Sequence, residues 1–173
     1  MKKFFFTLLF TGLALLPLSA EKIECQVSLK QGTVNGLPPT ASITQIKKRM
    51  PFFTGTSKEK DWPNSGGGVF FKNTGVYFYT YIDVINVRND FSGQMDIPVF
   101  GKTLEQIAAD FEMDCKFIQT QEFGDLYECK QNYGYLYFCF EDELCAELYI
   151  TTKPIEICEA RYKQMIQKQK KEK

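Results

Sequence analysis

The side chains that could do chemistry in this sequence are carboxylates and cysteines, because its 173 residues include no histidine. A Ser-His-Asp triad and a Cys-His pair both need a histidine to activate the nucleophile. Histidine is also the commonest general base and a usual ligand of catalytic zinc. These classes of enzyme are therefore excluded for this chain acting alone.

Four carboxylates lie close together in the second half of the chain: Glu141, Asp142, Glu143 and Glu147. Two carboxylates are enough for glycoside hydrolysis, in which one acts as the acid and the other as base or nucleophile. The first three, however, fall in a predicted tight turn, where acidic residues are common because they suit turn geometry. We therefore expect a protein that is not an enzyme and that needs no cofactor or metal. A carboxylate-dependent hydrolase is the alternative.

The first 20 residues are typical of a secretory signal peptide. A basic start at Lys2 and Lys3 is followed by an apolar run from Phe4 to Leu18 and by a small residue, Ala20, at the expected cleavage point. Its removal leaves 19 basic and 21 acidic side chains, and this near-neutral charge does not suggest nucleic acid as a partner. No later stretch is apolar enough to span a membrane. We expect a periplasmic or secreted protein whose partner is another protein.

All six cysteines lie beyond this segment, and an even number in an exported chain indicates disulfides. They are Cys25, Cys115, Cys129, Cys139, Cys145 and Cys158. Many connectivities are possible, so the sequence alone does not fix the pattern. We predict Cys139 with Cys145 from the hairpin described below. For the other four we predict Cys115 with Cys129 and Cys25 with Cys158.

Two segments carry the same signals for a short helix. Ser42 with Gln45, and Thr103 with Gln106, form capping boxes, in which the side chains satisfy free backbone donors at a helix start. Apolar residues at i, i+3 and i+7 then make one stripe on each helix. The predicted helices cover residues 42–50 and 103–111, and a third, with a basic tail, covers residues 154–170.

Strands are predicted before the first helix and after each of the first two. Alternating apolar residues, β-branched residues and bounding turn residues indicate them. The predicted strands cover residues 23–29, a long stretch at 76–87, and shorter runs at 115–120, 126–131, 134–140 and 144–151. This mixture of helices and short antiparallel strands predicts an α+β fold.

The hairpin from residue 135 to residue 149 predicts which side chains share a face. A three-residue turn at 141–143 would set Phe140 opposite Leu144 and Cys139 opposite Cys145, within disulfide reach. The same register places Leu136, Phe138, Ala146 and Leu148 on one face, and Tyr135, Tyr137, Glu147 and Tyr149 on the other.

Tyrosines gather on one face of both predicted sheets. Alternation along the stretch 76–87 puts Tyr77, Tyr79 and Tyr81 on one side, opposite Val76 and Phe78. Tyrosine combines a large apolar surface with a polar tip and is enriched at binding hot spots. The candidate partner contacts are therefore Tyr77, Tyr79, Tyr81, Tyr135, Tyr137, Tyr149 and Glu147. The alternative is that these rings only stack across strands and cover the sheet.

The segment from Gly101 to Ile107, with Phe111, resembles the helix entry G-x-T-x-x-x-[IV] of the β-lactamase-inhibitor-like fold. This fold is shared in outline with the small outer-membrane lipoprotein of the barrel-assembly machinery, and residues 42–50 are similar to the same motif. Where that family often has Leu-Gly-x-Pro after the helix, this chain has Phe-Glu-Met-Asp at 111–114. The resemblance covers mainly residues 100–151. It implies a tandem fold whose sheet presents aromatic residues to another protein.

The expected organisation is a signal peptide at 1–20, two related units of a short helix followed by a small antiparallel sheet at 21–98 and 99–153, and a C-terminal helix with a basic tail at 154–173. The expected function is a non-catalytic protein-binding module in the periplasm, acting as an inhibitor or as an immunity protein against an exported toxin. An envelope scaffold or assembly factor for a membrane complex is the first alternative.

Overall fold

The computed structural model describes residues 25–51, 55–57, 68–71, 75–111 and 114–171, so the predicted signal peptide lies outside the described residues. In chain order the described elements are β1 (Gln26–Ser28), β2 (Thr33–Val34), α1 (Ile43–Arg49), β3 (Gly55–Ser57), β4 (Gly68–Phe71), β5 (Val76–Tyr79), β6 (Val84–Arg88), β7 (Gln94–Met95), α2 (Leu104–Phe111), β8 (Cys115–Gln119), β9 (Asp125–Gln131), β10 (Gly134–Glu141), β11 (Leu144–Thr151) and α3 (Ile155–Lys171). The fold class is α+β, as predicted.

Eight strands form one antiparallel sheet in the order β3-β4-β5-β6-β11-β10-β9-β8. The runs β3–β6 and β8–β11 meet where β6 pairs with β11, with Val87 opposite Leu148. Because the strands of both halves belong to a single sheet, the predicted division into two helix-then-sheet units is not evident. A smaller sheet has the order β2-β1-β7, with β1 antiparallel to β2 and parallel to β7.

Side chains alternate between the two faces of the large sheet, and each face carries its own apolar cluster. The first face carries Phe78, Val87, Phe138 and Leu148, and the second face carries Tyr79, Tyr137 and Tyr149. Ile46 of α1, Ile107 of α2 and Val27 of β1 are buried in the first cluster, so two helices and the small sheet cover the first face.

Both predicted capping boxes are present at the helix starts. Ser42 N donates to Gln45 Oε1 at 2.8 Å, and Gln45 N donates to Ser42 Oγ at 3.3 Å. The second box has the same two bonds, Thr103 N to Gln106 Oε1 at 3.0 Å and Gln106 N to Thr103 Oγ1 at 3.4 Å. These bonds satisfy backbone donors that a helix start leaves free, which explains why both helices begin where the sequence predicted.

The helix α3 covers part of the second face. Its residues Ile155, Cys158 and Tyr162 are buried in the second cluster, and Met165 and Ile166 pack against it. This one-sided burial agrees with the predicted helix at 154–170. None of the described helices is long and apolar enough to cross a membrane.

The predicted long strand at 76–87 was wrong, because the chain reverses direction within it. Ile82 N donates to Tyr79 O at 3.1 Å, and Asp83 has a φ of +58°, so a turn joins β5 to β6. Val84 consequently pairs back onto Tyr79. Tyr81 therefore lies in this turn and does not continue the row of Tyr77 and Tyr79 on the strand.

The predicted register of the last hairpin was also wrong. Asp142 and Glu143 have φ values of +48° and +66°, which is the geometry of a two-residue hairpin turn. Phe140 is therefore opposite Cys145, and a bulge then sets Cys139 opposite Glu147. An extra residue in one strand is what defines such a bulge.

The predicted disulfide between Cys115 and Cys129 is confirmed, and it links β8 to β9 across directly opposed residues. The structure does not form the other two predicted pairs. Cys25 and Cys145 are buried in the first-face cluster, whereas Cys158 is buried in the second-face cluster and Cys139 packs against it. The sheet therefore separates the members of each predicted pair.

Candidate functional site

The structure divides the six candidate tyrosines into two groups. Tyr79, Tyr137 and Tyr149 are buried, with 4%, 0% and 6% of their surface exposed. Tyr77, Tyr81 and Tyr135 are only partly buried and pack at the edge of the same cluster. A buried ring cannot contact a partner directly, so the half-buried group and Glu147 are the predicted contacts that reach the surface.

The buried hydroxyl of Tyr137 attaches α3 to the sheet. It donates to Glu128 Oε2 at 2.7 Å and accepts the backbone N–H of Ile155 at 2.9 Å. Lys116 Nζ lies 2.8 Å from the other oxygen of Glu128. Burial and the bond to Glu128 raise the pKa of Tyr137, so the hydroxyl keeps the proton that it donates. This tyrosine is therefore structural in its role.

Two further polar contacts fix the position of α3. The buried carboxylate of Glu159 accepts the backbone N–H groups of Gln121 and Glu122, both at 2.8 Å, in the loop between β8 and β9. Arg161 Nη1 donates to Asp83 Oδ2 in the turn between β5 and β6, at 2.5 Å. Because these contacts involve two different loops, α3 has one defined place on the second face.

A polar cluster lies on the second face beside the half-buried tyrosines, and we call it the arginine platform. It consists of Tyr77, Asn86, Arg88, Glu147 and Tyr149. The guanidinium of Arg88 lies over the Tyr77 ring, 5.0 Å from its centroid, and Arg88 Nε is 3.3 Å from Glu147 Oε1. Asn86 Nδ2 and the Tyr149 hydroxyl donate to Glu147 Oε2 at 3.3 and 2.8 Å. Glu147 is thus held by three side chains from two strands.

Burial and the nearby carboxylate keep the Tyr149 donor protonated, and ring stacking supports Tyr77. Burial, and then the Glu147 carboxylate, raise the pKa of Tyr149, so its hydroxyl stays protonated and continues to donate. Tyr77 stacks on Tyr79 with ring centroids 6.4 Å apart, which supports the ring beneath Arg88. The ion pair of Arg88 with Glu147 lacks an aligned hydrogen bond at Nε.

Arg88 is the most accessible charge of the platform. Its side chain is 42% exposed and that of Glu147 is 25% exposed. Within the described part of the chain, no acceptor bonds the two terminal nitrogens of its guanidinium. Those nitrogens form a planar fork of donors that suits a carboxylate or a pair of carbonyl oxygens.

The remaining thiols offer little chemistry. Burial raises the pKa of Cys25 and Cys145 to about 12 and that of Cys158 to about 11. Burial, followed by the charge of Glu147, also raises the pKa of the half-buried Cys139. A thiol is nucleophilic only as the thiolate, so these four cysteines are poor nucleophiles at neutral pH.

The four carboxylates of the hydrolase hypothesis lie in two different environments. Glu141, Asp142 and Glu143 are exposed at the tip of the last hairpin. Glu147 lies further along β11 and accepts from the platform donors. A hydrolase needs one carboxylate as acid and another as base or nucleophile on the two sides of one bond. The contacts of Glu147 instead give it a role in holding Arg88.

Arg88 and Asn86 were missed by the sequence analysis, although a signal for them was present. In the strand β6, Asn86 lies between the apolar residues Ile85 and Val87 and Arg88 follows Val87, so the two polar residues stand at i and i+2. That alternation places their side chains on the face opposite Ile85 and Val87. The predicted contacts, six tyrosines and Glu147, included neither residue.

Comparison of the chain with models of protein families, with curated proteins and with solved structures gave no match. The resemblance to the β-lactamase-inhibitor-like fold stays a prediction.

Proposed function

We propose that the protein is an exported, non-catalytic module that binds another protein through the arginine platform. The observation that carries this proposal is the accessible guanidinium of Arg88, held over Tyr77 and beside Glu147. Arginine and tyrosine are the residue types most enriched at binding hot spots, together with tryptophan. A disulfide and a signal-like N-terminal segment support export.

The platform is suited to binding because it is organised before a partner arrives. A flexible arginine loses rotamer freedom on binding, which costs roughly 0.5–1.5 kcal/mol. Here the ring of Tyr77 and the carboxylate of Glu147 already restrict the Arg88 side chain. We expect the partner to place a carboxylate or backbone carbonyls on the guanidinium, with apolar contacts on Tyr77.

The resemblance to inhibitors of the β-lactamase-inhibitor-like type supports an inhibitor or toxin-immunity role over an envelope scaffold. In support of the tandem organisation, α1 precedes the run β3–β6 and α2 precedes the run β8–β11. We propose that these two runs are related units that share one sheet. An inhibitor of this type silences a soluble enzyme, whereas a scaffold co-fractionates with membranes.

The test is a crosslinked pull-down from the cell envelope with the wild-type protein, Arg88→Ala and Arg49→Ala. Arg49 is exposed on α1, away from the platform, and gives a control that removes the same charge. Truncation of an arginine hot spot costs about 2 kcal/mol or more, which is roughly a 30-fold loss of affinity. We expect Arg88→Ala to lose the partner and Arg49→Ala to keep it.

Thermal unfolding of each variant shows whether the fold is retained, since both side chains are substantially exposed. A soluble partner whose activity falls on binding supports the inhibitor role, and a membrane complex retained by Arg88→Ala supports the scaffold. Equal binding by both variants would contradict the arginine platform as the binding surface.

A further inference from the structure

The strand β8 is the last strand of the large sheet among the described residues, and it has one unpaired edge. Three of its five residues are exposed, among them Phe117, with 52% of its surface accessible. An exposed edge strand that carries an apolar side chain is a template for pairing with another strand. The geometry of β8 shows which of its backbone groups are available.

The available groups follow from the pairing of β8 with β9. The Cα atoms of Cys115 and Cys129 are 4.5 Å apart, the distance of a pair that does not exchange hydrogen bonds. Beyond the end of the strand, Thr120 N donates to Gly124 O at 2.9 Å, so that pair does exchange them. Since the two kinds of pair alternate, the N–H and C=O groups of residues 115, 117 and 119 point away from β9, toward the free edge.

An aromatic ladder runs across the first face to this edge. Phe140 of β10 contacts Tyr127 of β9 with ring centroids 5.4 Å apart, and Tyr127 contacts Phe117 at 5.5 Å. Both contacts are edge-to-face. The ladder ends at Phe117, whose ring is exposed.

The usual protections of an edge strand are weak here. A lysine commonly guards such an edge, but the ammonium of Lys116 is 2.8 Å from Glu128 on the neighbouring strand β9, away from the free edge. The disulfide between Cys115 and Cys129 fastens β8 to the sheet, so the edge is fixed in an extended form. A fixed edge loses less entropy when another strand is added.

We propose that a second copy of this chain pairs with β8, antiparallel and centred on Phe117. In this register Phe117 lies opposite Phe117 of the second copy and exchanges two backbone hydrogen bonds with it. Cys115 lies opposite Gln119 of the second copy, and Gln119 lies opposite its Cys115. Every residue whose backbone groups point to the free edge is therefore opposite a residue of the same kind. The strand is thus complementary to itself about its central residue.

Side chains also match in this arrangement. On the first face the two aromatic ladders join through the two Phe117 rings, and directly opposed aromatic residues stabilise strand pairs. On the second face Lys116 lies opposite Ile118 of the second copy, so the two lysines do not oppose each other. Each lysine also keeps its ion pair with Glu128.

The dimer is expected to be weak. A stable interface buries about 800 Å² on each partner, and a strand pair of five residues reaches less than that. We therefore expect a transient dimer that is populated only at high protein concentration. Export into a confined compartment or attachment to a common partner would raise the local concentration.

Sedimentation velocity at protein concentrations from about 5 to 500 μM tests the proposed dimer. The sample is the protein in the form that its own cell produces. We expect concentration-dependent dimers for the wild-type protein and for the control Lys116→Ala. Phe117→Pro should stay monomeric, because it removes an N–H that faces the free edge and leaves the bonds to β9 intact. Phe117→Lys is a second variant, in which two lysines would face each other across the dimer axis.

Amide hydrogen exchange of the wild-type protein gives a residue-level check. The amides of residues 115, 117 and 119 should become protected as concentration rises, and those of 116 and 118 should be protected throughout. A wild-type monomer at about 500 μM would overturn the proposal. Dimers retained by Phe117→Lys, or protection that does not alternate along β8, would overturn it equally.

Discussion

Removal of one buried hydroxyl, by Tyr137→Phe, should loosen α3 from the sheet. The hydroxyl donates to Glu128 at 2.7 Å and accepts from the backbone of Ile155 at 2.9 Å. Phenylalanine fills the same space, so the change creates no cavity in the second cluster. The effect of the substitution comes from the two groups that lose their partner.

The expected loss follows from the burial of those groups. Glu128 is 8% exposed and keeps its contact with Lys116, whereas the N–H of Ile155 belongs to a fully buried residue. A buried polar group left without a partner costs about 1–3 kcal/mol. We expect the free energy of unfolding to fall by roughly 3 kcal/mol and the Tm by about 6–12 °C.

The assay is urea-induced unfolding followed by circular dichroism, with Tyr135→Phe as the matched control. Tyr135 lies on the same face of β10 and stacks on Tyr137 with centroids 6.0 Å apart. No described residue bonds its hydroxyl, so we expect the control to stay within about 0.5 kcal/mol of the wild-type protein. Amide exchange in the first turn of α3 should accelerate only in Tyr137→Phe.

A loss below about 0.5 kcal/mol for Tyr137→Phe would refute the reasoning. It would mean that water or another donor replaces the hydroxyl at Glu128 and Ile155. An equal loss in both variants would assign the effect to ring packing instead of to the hydrogen bonds. Only a large difference between the two variants supports the attachment of α3 through Tyr137.

Two other substitutions test the last hairpin and the buried thiols. Glu143→Gly should stabilise the protein by roughly 0.5–1 kcal/mol in urea unfolding, because glycine adopts the φ of +66° without strain. A lower midpoint would contradict the two-residue turn. Burial raises the pKa of Cys158 from 9.0 to about 11. The folded state therefore holds a proton that the unfolded state releases, and stability falls by about 1.4 kcal/mol per pH unit between these values. Cys158→Ala should flatten that part of the stability profile, and an unchanged slope would show that this thiol does not titrate there.

Local signals predicted the elements of the structure well, for reasons that particular residues make clear. The capping boxes at Ser42 and Thr103 act within three residues, so the two helix starts depend on no distant contact. The strands of the second half are short alternating runs between turn residues, and β10 and β11 lie within one residue of their predicted bounds. Such signals involve only residues that are close together in the sequence.

In the last hairpin the predicted register was wrong, but the predicted faces of the tyrosines were correct. Asp142 and Glu143 form a two-residue turn without the Asn-Gly or Asp-Gly pair that usually marks one, so the sequence did not indicate it. That turn shifts the pairing by one residue, and the bulge after Cys139 shifts it by one more. Two shifts restore the alternation, so Tyr137 still shares a face with Tyr149. Because of these shifts, Cys139 is not opposite Cys145, as the predicted disulfide required.

The position of α3 could not be predicted, because it depends on contacts between distant residues. Its amphipathic pattern indicates that one side is buried but does not indicate which strands it covers. The bond that the backbone N–H of Gln121 donates to Glu159 joins residues 38 apart, and the bond that Arg161 donates to Asp83 joins residues 78 apart. These contacts decide which tyrosines are buried, and no local pattern contains them.

The buried tyrosines gain a different role in the proposed binding surface. Tyr149 lies too deep to contact a partner, yet its hydroxyl donates to Glu147 at 2.8 Å. Glu147 in turn lies beside Arg88, and Arg88 lies over Tyr77. A buried donor thus fixes the exposed charge through one carboxylate, and preorganisation of this kind lowers the cost of binding. In the proposed binding surface, the buried Tyr149 is therefore a support for Arg88 and not a contact of its own.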